Sequence, residues 1–319
     1  MPLPLSCAPI IASYGIRGDD PSPTFLAIEL SQAVHRIKLI NAWDHAAVIG
    51  PGTRVLELGC GQGTCTQALA EAVSSPEDPT GTGSGHITAV DPSPPNYGAP
   101  FTLAQAQSHL SAGPLGPLVT FHRADPLAFL AATTSDGDDA QRWDVAVLAH
   151  CIWYFRPANT LRQILSALRG RVARVCVAEW ALQATELTAA AHVLAALVRA
   201  AFEAHLRGDS TENIQTLASP RAIKEAAGQA GWMVETEGTV VPEAELSDGF
   251  WETGAVLDKG FVQDVGKEIE YGRVKAVLES ARDAVAAAAE SAGGARAVRS
   301  VDVWVAILTP AGERLAKSP

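Results

Sequence analysis

The chain has 319 residues, of which 47% are hydrophobic and 18% charged, so we expect a folded core and not a disordered chain. Its net charge of −11 argues against a nucleic-acid partner, because binding a phosphate backbone needs a basic surface. No apolar stretch reaches the length of a membrane span, and the N-terminus does not have the basic start of a secretory signal.

The chain begins with a predicted arm and helix, residues 1–48. Residues 1–23 are rich in proline, which predicts an arm without regular structure. Beyond them apolar residues recur at helical spacing, which predicts a helix. A mobile arm next to a binding site commonly serves as a lid, so we expect residues 1–48 to cover the site and Tyr14 to face it.

The run RVLELGCGQGT at residues 54–64 predicts a buried strand, a glycine turn and the start of a helix. Glycine lets the backbone approach a ligand closely, and the free amides at a helix start favour acceptor groups. Glu57 precedes the glycines, where it can pair with an ammonium group but would be repelled by a pyrophosphate. The spacing G-x-G-x-G also differs from the G-x-G-x-x-G of dinucleotide-binding proteins, so a nicotinamide dehydrogenase is a weaker alternative. A strand, turn and helix without any ligand is the structural alternative.

Further apolar runs alternate with helical segments along the chain. They predict strands at 86–90, 118–122, 143–149, 174–180, 232–241 and 300–308. Such near-continuous apolar strands separated by helices are typical of a parallel sheet covered on both faces. Helical insertions at about 183–210 and 243–297 exceed what the sheet needs, and we expect them to line a substrate pocket or to form a homodimer interface. We therefore predict one domain over 49–319 that carries these insertions.

Polar residues end two of the predicted strands. Asp91 ends the strand at 86–90, where a carboxylate can bind both hydroxyls of a ribose, and a turn before Pro92 is the structural alternative. His150 ends the strand at 143–149 and is the best-placed general base, because neutral imidazole is available near pH 7. A structural histidine that only makes a hydrogen bond is the alternative for that residue.

Four aromatic side chains are candidates to contact a substrate or a cofactor. Their faces attract sulfonium and amine cations, although such rings also commonly serve only to bury area in a core. They are Tyr14, Trp153, Tyr154 and Trp180. Trp180 ends the fifth predicted strand, and Glu179 beside it is a second polar candidate.

The cysteines and histidines suggest neither disulfides nor a metal. Five cysteines without a C-x-x-C pair predict reduced thiols in an intracellular, cytoplasmic protein. The histidines on predicted helices have no spacing that forms a ligand set, so we expect no metal site.

Over about residues 50–182 the chain resembles the class I S-adenosylmethionine-dependent methyltransferases, through the motif at 54–64 and the acid at position 91. The run AHCIWYF at 149–155 resembles small-molecule methyltransferases of fungi and bacteria. The resemblance implies an α/β fold with a doubly wound, seven-stranded, mostly parallel sheet whose last strand is antiparallel. It also implies S-adenosylmethionine as cofactor and S-adenosylhomocysteine as product. The cofactor-binding residues implied are Glu57, Gly59, Gly61, Gly63, Asp91, Ala124, Asp125 and His150.

The expected activity is methyl transfer to an O, N or S nucleophile of a small molecule, achieved mainly by positioning and desolvation. His150 and Tyr14 are the candidate catalytic residues, and Trp153, Tyr154 and Trp180 are the candidate substrate contacts. Two alternatives stay open. One is an enzyme that keeps the cofactor fold but catalyses a pericyclic or elimination step, and the other is a non-catalytic partner protein, against which the intact glycine motif counts.

Overall fold

The computed structural model describes residues 2–19, 21–43, 48–75, 85–133, 143–206, 208, 210 and 212–312. The strands are β1 Arg54–Leu58, β2 His86–Asp91, β3 Val119–Arg123, β4 Val145–Ala149, β5 Arg174–Trp180, β6 Trp232–Val240 and β7 Val303–Pro310. They form one sheet in the order β3-β2-β1-β4-β5-β7-β6. Strands β1 to β5 pair in parallel, and β7 runs antiparallel to both β5 and β6. The predicted fold class is therefore confirmed.

The sheet is buried on both faces because its strands are apolar at consecutive positions. Val55 and Leu56 are both fully buried, and their side chains point to opposite faces. Val55 packs into the core on one face, and Leu56 packs into the core on the other. Two cores on one sheet need helices on both sides, which explains the alternation of strands and helices in the sequence.

The helices are α1 Ala8–Ser13, α2 Pro23–Ala42, α3 Thr64–Val73, α4 Leu103–Ala112, α5 Pro126–Ala132, α6 Thr160–Leu168, α7 Ala190–Glu203, α8 Pro220–Gln229, α9 Asp248–Leu257, α10 Lys259–Glu268 and α11 Gly272–Ser291. The two predicted insertions contain α7 and α9 to α11, which share an apolar core that includes Phe202, Phe261 and Leu278. Residues 207, 209 and 211 lie outside the described residues. Within the described ranges, no helix is long and apolar enough to cross a bilayer.

The predicted arm is wrong in one respect, because residues 5–13 have regular structure. A short 3-10 turn, Leu5–Cys7, leads directly into α1. Ile11 is fully buried and belongs to the core that also contains residues of α2 and α3. Proline in the first turn of a helix costs little because its missing N–H has no partner there anyway, so Pro9 does not prevent α1.

The strand order reverses between β1 and β4, which places a crevice at the carboxyl ends of these two strands. In open α/β sheets, ligands bind in such a crevice. The residues that follow β1 and β4, and the last residues of β2 and β5, therefore converge on one edge of the sheet. This edge contains the glycine turn, Asp91, His150 and Trp180.

Candidate active site

The glycine turn after β1 has left-handed backbone at all three glycines, with φ of 76° at Gly59, 53° at Gly61 and 93° at Gly63. A Cβ at Gly59 would lie 2.4 Å from the Cβ of Cys151, and one at Gly63 would lie 2.6 Å from Leu110 Cδ1. A Cβ at Gly61 would meet no atom within 4 Å. Packing therefore requires glycine at position 59 and left-handed backbone favours it at position 63, whereas Gly61 faces open space that a ligand can fill.

Alanine at two of these glycines is expected to separate folding from ligand binding. Gly59→Ala adds a clash to a strained φ and should lower the free energy of unfolding by about 3 kcal/mol. Gly61→Ala adds only the strained φ, about 1 kcal/mol, but places a methyl group where a ligand would approach, so affinity for S-adenosylhomocysteine should fall about tenfold or more. Urea unfolding and calorimetric titration measure the two effects. The assignment would be contradicted if both variants lost the same stability and Gly61→Ala bound S-adenosylhomocysteine as tightly as the wild type.

Glu57 is a buried carboxylate at the end of β1, with 2% of its surface exposed. Its Oε2 accepts a hydrogen bond of 2.6 Å from Thr66 Oγ1, on the first turn of α3. Burial raises its pKa to about 7, although the hydrogen bond from Thr66 opposes that shift. It forms no ion pair with the described residues. The charge of Arg36 also lowers this pKa, but a buried carboxylate without an ion-pair partner is suited to receive an ammonium group from a ligand.

Asp91 ends β2 and is held against the glycine turn. Its Oδ2 accepts a hydrogen bond of 2.8 Å from the N–H of Gly61, and its Oδ1 accepts one of 2.9 Å from the N–H of Ser93. A carboxylate oxygen has two lone pairs, so each oxygen can still accept a hydroxyl. The two backbone contacts hold the carboxylate in place, and each oxygen keeps the capacity to accept one further donor.

Asp125 follows β3 and acts as the N-cap of α5. Its Oδ1 accepts hydrogen bonds of 2.9 Å from the N–H of Leu127 and 3.0 Å from that of Ala128. The N–H of Ala124 donates to the carbonyl of Asp91, which ties the end of β3 to the end of β2. The cap therefore uses Oδ1 of Asp125 as its acceptor. The contact of Ala124 and Asp125 with adenine stays a prediction.

His150 follows β4 in a left-handed conformation, with φ of 54°. A non-glycine residue with positive φ is uncommon and often marks a functional position. Its Nε2 lies 2.9 Å from the Nε2 of His35 on α2, and its Nδ1 lies 3.6 Å from Glu179 Oε1. Its ring centroid lies 4.2 Å from that of Trp180. Burial, with the charge of Arg36 as a second cause, lowers the pKa of His150 well below its usual value, so the ring is neutral at pH 7.

Glu179, the residue before Trp180, is held in place from both sides. Its Oε2 accepts a hydrogen bond of 2.9 Å from the N–H of Ile152, and its Oε1 accepts one of 3.0 Å from the N–H of Trp180. Burial raises its pKa to about 7, and these backbone donors partly offset the rise. The strand-end glutamate therefore faces His150 in a fixed orientation.

His192 on α7 faces the same group of rings. Its Nδ1 accepts a hydrogen bond of 3.2 Å from the N–H of Val301, so the ring proton of the neutral imidazole is on Nε2. That Nε2 is buried and has no hydrogen-bond partner. Its ring meets the edge of Trp180 at a centroid distance of 5.4 Å.

Two cavities meet at this edge of the sheet. The smaller, of about 110 Å³, is lined by His150, Trp153, Tyr154, Glu179, Trp180 and His192, and by Arg36, Asn213, Ile214, Asp248 and Glu252. The larger, of about 380 Å³, reaches the glycine turn at Gln62 and Thr64. Arg36, Tyr154 and Asp248 line both cavities, so the two adjoin.

The structure places three of the predicted aromatic residues at the smaller cavity and one elsewhere. Trp153 and Trp180 are buried there, and Tyr154 is 42% exposed. Tyr14 ends α1 and lines neither cavity. Its hydroxyl donates a hydrogen bond of 3.0 Å to Glu71 on α3, and burial together with Glu71 raises its pKa to about 12.

The residues of this site that were not predicted as site residues are His35, Arg36, His192, Asn213, Ile214, Asp248 and Glu252. His35 and Arg36 lie on α2, and the contact between His35 and His150 joins residues 115 positions apart. Nothing in the local sequence pattern indicates such a contact. Asp248 and Glu252 are four positions apart in a predicted helix, and that spacing alone places them on one face.

A family model described as a methyltransferase domain matches residues 29–237. Methyltransferase phomM' of Diaporthe leptostromiformis is 32% identical over 287 residues, which cover 80% of this chain and 72% of that protein. Methyltransferase phomM of Diaporthe leptostromiformis is 31% identical over 284 residues, with the same shares covered. The crystal structure of a cyclopropane-fatty-acyl-phospholipid synthase-like protein from Lactobacillus casei has a TM-score of 0.78 and 30% identity, and the match covers 95% of this chain and 99% of that one.

Proposed function

Since this chain belongs to the class I S-adenosylmethionine-dependent methyltransferases, we propose that it methylates an oxygen, nitrogen or sulfur nucleophile of a small molecule held against His150. The observation that carries this proposal is the position of His150, 3.6 Å from Glu179 in a cavity that adjoins the cavity at the glycine turn. S-adenosylmethionine is the cofactor, and when bound it supplies the methyl group on a positively charged sulfur.

The residues present fit this cofactor. The buried carboxylate of Glu57 would receive its ammonium group, and each oxygen of Asp91, which accepts one backbone hydrogen bond, would accept a ribose hydroxyl as well. The open space at Gly61 admits close approach of a ligand to the backbone. Ala124 and Asp125 would meet the adenine edge.

His150 acts as the general base in this proposal. It is neutral at pH 7, and a nucleophile in the smaller cavity can give it a proton. The Glu179 carboxylate, 3.6 Å from Nδ1, would stabilise the imidazolium that results. The buried side chains of Trp153 and Trp180 would limit the access of water, which favours a transfer that disperses the positive charge of the sulfur.

Cofactor affinity is expected to depend on pH through Glu57. Its pKa of about 7 means that below pH 7 the free protein carries a proton on this carboxyl, which removes the charge that attracts an ammonium group. Affinity for S-adenosylhomocysteine should therefore fall about tenfold from about pH 8 to about pH 6. Calorimetric titration across this range measures the effect.

Matched variants isolate the residue responsible for this pH dependence. Glu57→Gln should bind more weakly and lose the pH dependence, whereas Glu179→Gln should keep it, although burial gives Glu179 a pKa of about 7 as well. Persistence of the slope in Glu57→Gln would contradict the assignment.

A methyl-acceptor screen tests the proposed function. The protein and S-adenosylmethionine are incubated with small phenols, thiols and amines, and S-adenosylhomocysteine is measured by mass spectrometry. We expect release that depends on an added nucleophile and is lost in His150→Asn. A wild type that binds the cofactor but turns over no member of the three classes would contradict the proposal.

A further inference from the structure

The added helix α9 presents two carboxylates to the smaller cavity. Asp248 and Glu252 are one turn apart and both line it. Each accepts a hydrogen bond from a neutral amide, Asp248 from Gln32 at 3.2 Å and Glu252 from Asn213 at 2.9 Å. Burial raises the pKa of both carboxyls. Among the described residues neither forms an ion pair, although the charge of Arg36 lowers the pKa of Asp248 and that of Arg199 lowers the pKa of Glu252.

Unpartnered hydrogen-bond donors line the same cavity. The Nε and Nη1 atoms of Arg36 are buried and have no partner. The Nε2 of His192 carries a proton, is equally without a partner, and belongs to a residue with 0% exposed surface. Buried donors are nearly always bonded in native proteins, so these donors point to an acceptor on a ligand. Donors and carboxylates together describe a ligand with both an anionic and a cationic group.

The size of the cavity limits what the ligand places there. About 110 Å³ is the space of roughly four water molecules, which suits a head group and not a whole substrate. The adjoining cavity of about 380 Å³ has a mixed lining that includes the apolar side chains of Phe25, Phe101 and Trp251, and the rest of the ligand would extend into it beside the cofactor.

We propose that the smaller cavity binds the amino-acid head group of the substrate, with its amine between Asp248 and Glu252 and its carboxylate on Arg36 and His192. This inference rests on the proposed function, and it makes the amine nitrogen the methyl acceptor. The ammonium gives one proton to His150. The freed lone pair on nitrogen then forms the bond to the methyl carbon as the carbon–sulfur bond breaks, and the electrons of that bond stay on sulfur.

Three probes with a phenyl ring on a short carbon chain test the amine and the carboxylate of this head group separately. L-phenylalanine has both groups, phenethylamine has only the amine, and 3-phenylpropionate has only the carboxylate. Each is titrated calorimetrically into the protein saturated with S-adenosylhomocysteine. We expect phenylalanine to bind about tenfold or more tightly than either of the others, because each charged contact is worth about that factor.

Matched variants assign the contacts. Asp248→Asn should reduce the advantage of phenylalanine over 3-phenylpropionate, and Arg36→Gln should reduce its advantage over phenethylamine. Glu245→Gln and Arg273→Gln make the same charge changes at exposed positions outside the cavity and should change neither ratio.

The outcomes separate this inference from the proposed function. Failure of S-adenosylhomocysteine to bind the wild type contradicts the proposed function. If S-adenosylhomocysteine binds but phenylalanine binds no more tightly than the other two probes, or no probe binds, the amino-acid inference alone is overturned. If Arg36→Gln weakens S-adenosylhomocysteine binding and leaves the probe ratios unchanged, the carboxylate assignment is wrong.

Discussion

Asp91→Ala is expected to lower the affinity for S-adenosylhomocysteine about 100-fold or more. The reason is that the carboxylate would bind two ribose hydroxyls, and a hydrogen bond to a charged group is worth about 1.5–3 kcal/mol. The substitution also leaves the N–H groups of Gly61 and Ser93 without their acceptor, so the glycine turn loses its fixed position. Calorimetric titration of the purified variant measures the loss.

A second aspartate provides the control for this prediction. Asp144 accepts a hydrogen bond of 2.7 Å from the N–H of Arg54, at the opposite edge of the sheet. Asp144→Ala should therefore lower stability without changing affinity for the ligand. Equal affinities in wild type and Asp91→Ala would remove Asp91 from the cofactor site.

His150→Asn is expected to lower kcat by about 100-fold to 10,000-fold, the usual contribution of a general base, while affinity for S-adenosylhomocysteine stays within a few-fold. Asparagine tolerates left-handed backbone better than most residues, so the φ of 54° at this position does not by itself unfold the variant. Steady-state rates with an acceptor found in the screen, together with the titration, measure the two quantities.

His35→Gln is the matched variant for this second prediction. His35 contacts the Nε2 of His150 at 2.9 Å and acts on the reaction through that ring, so we expect a smaller loss of rate and a shifted pH–rate profile. An unchanged kcat in His150→Asn would contradict the role of His150 as base and would leave the imidazole a structural group.

The sequence allowed the sheet to be predicted, together with the edge that we propose for the cofactor, because both depend on local patterns. Consecutive apolar residues such as Val55 and Leu56 predict a strand that is buried on both faces. Glycine spacing and a strand-end acid then indicate the ligand edge. In the structure the N–H of Gly61 donates a hydrogen bond of 2.8 Å to Asp91 Oδ2. The fifth strand has the bounds predicted for it, 174–180.

The substrate side could not be predicted in the same way, because its contacts join distant segments. Asp248 receives its hydrogen bond from Gln32, 216 positions away, and His150 meets a histidine of α2. The N-terminal arm shows the same limit. Its prolines predict irregular structure, yet burial of Ile11 in a core shared with α2 and α3 stabilises a short helix there. Tyr14 accordingly contacts Glu71 and not His150.

The most direct test of the central claim follows a labelled methyl group. The protein is incubated with S-adenosylmethionine deuterated on its methyl group and with an acceptor from the screen, and both products are measured by mass spectrometry. Methyl transfer predicts one labelled methyl group on the acceptor for each S-adenosylhomocysteine formed, with both signals lost in His150→Asn. Conversion of the acceptor without label and without S-adenosylhomocysteine would contradict methyl transfer and would favour a non-methylating reaction on the same fold.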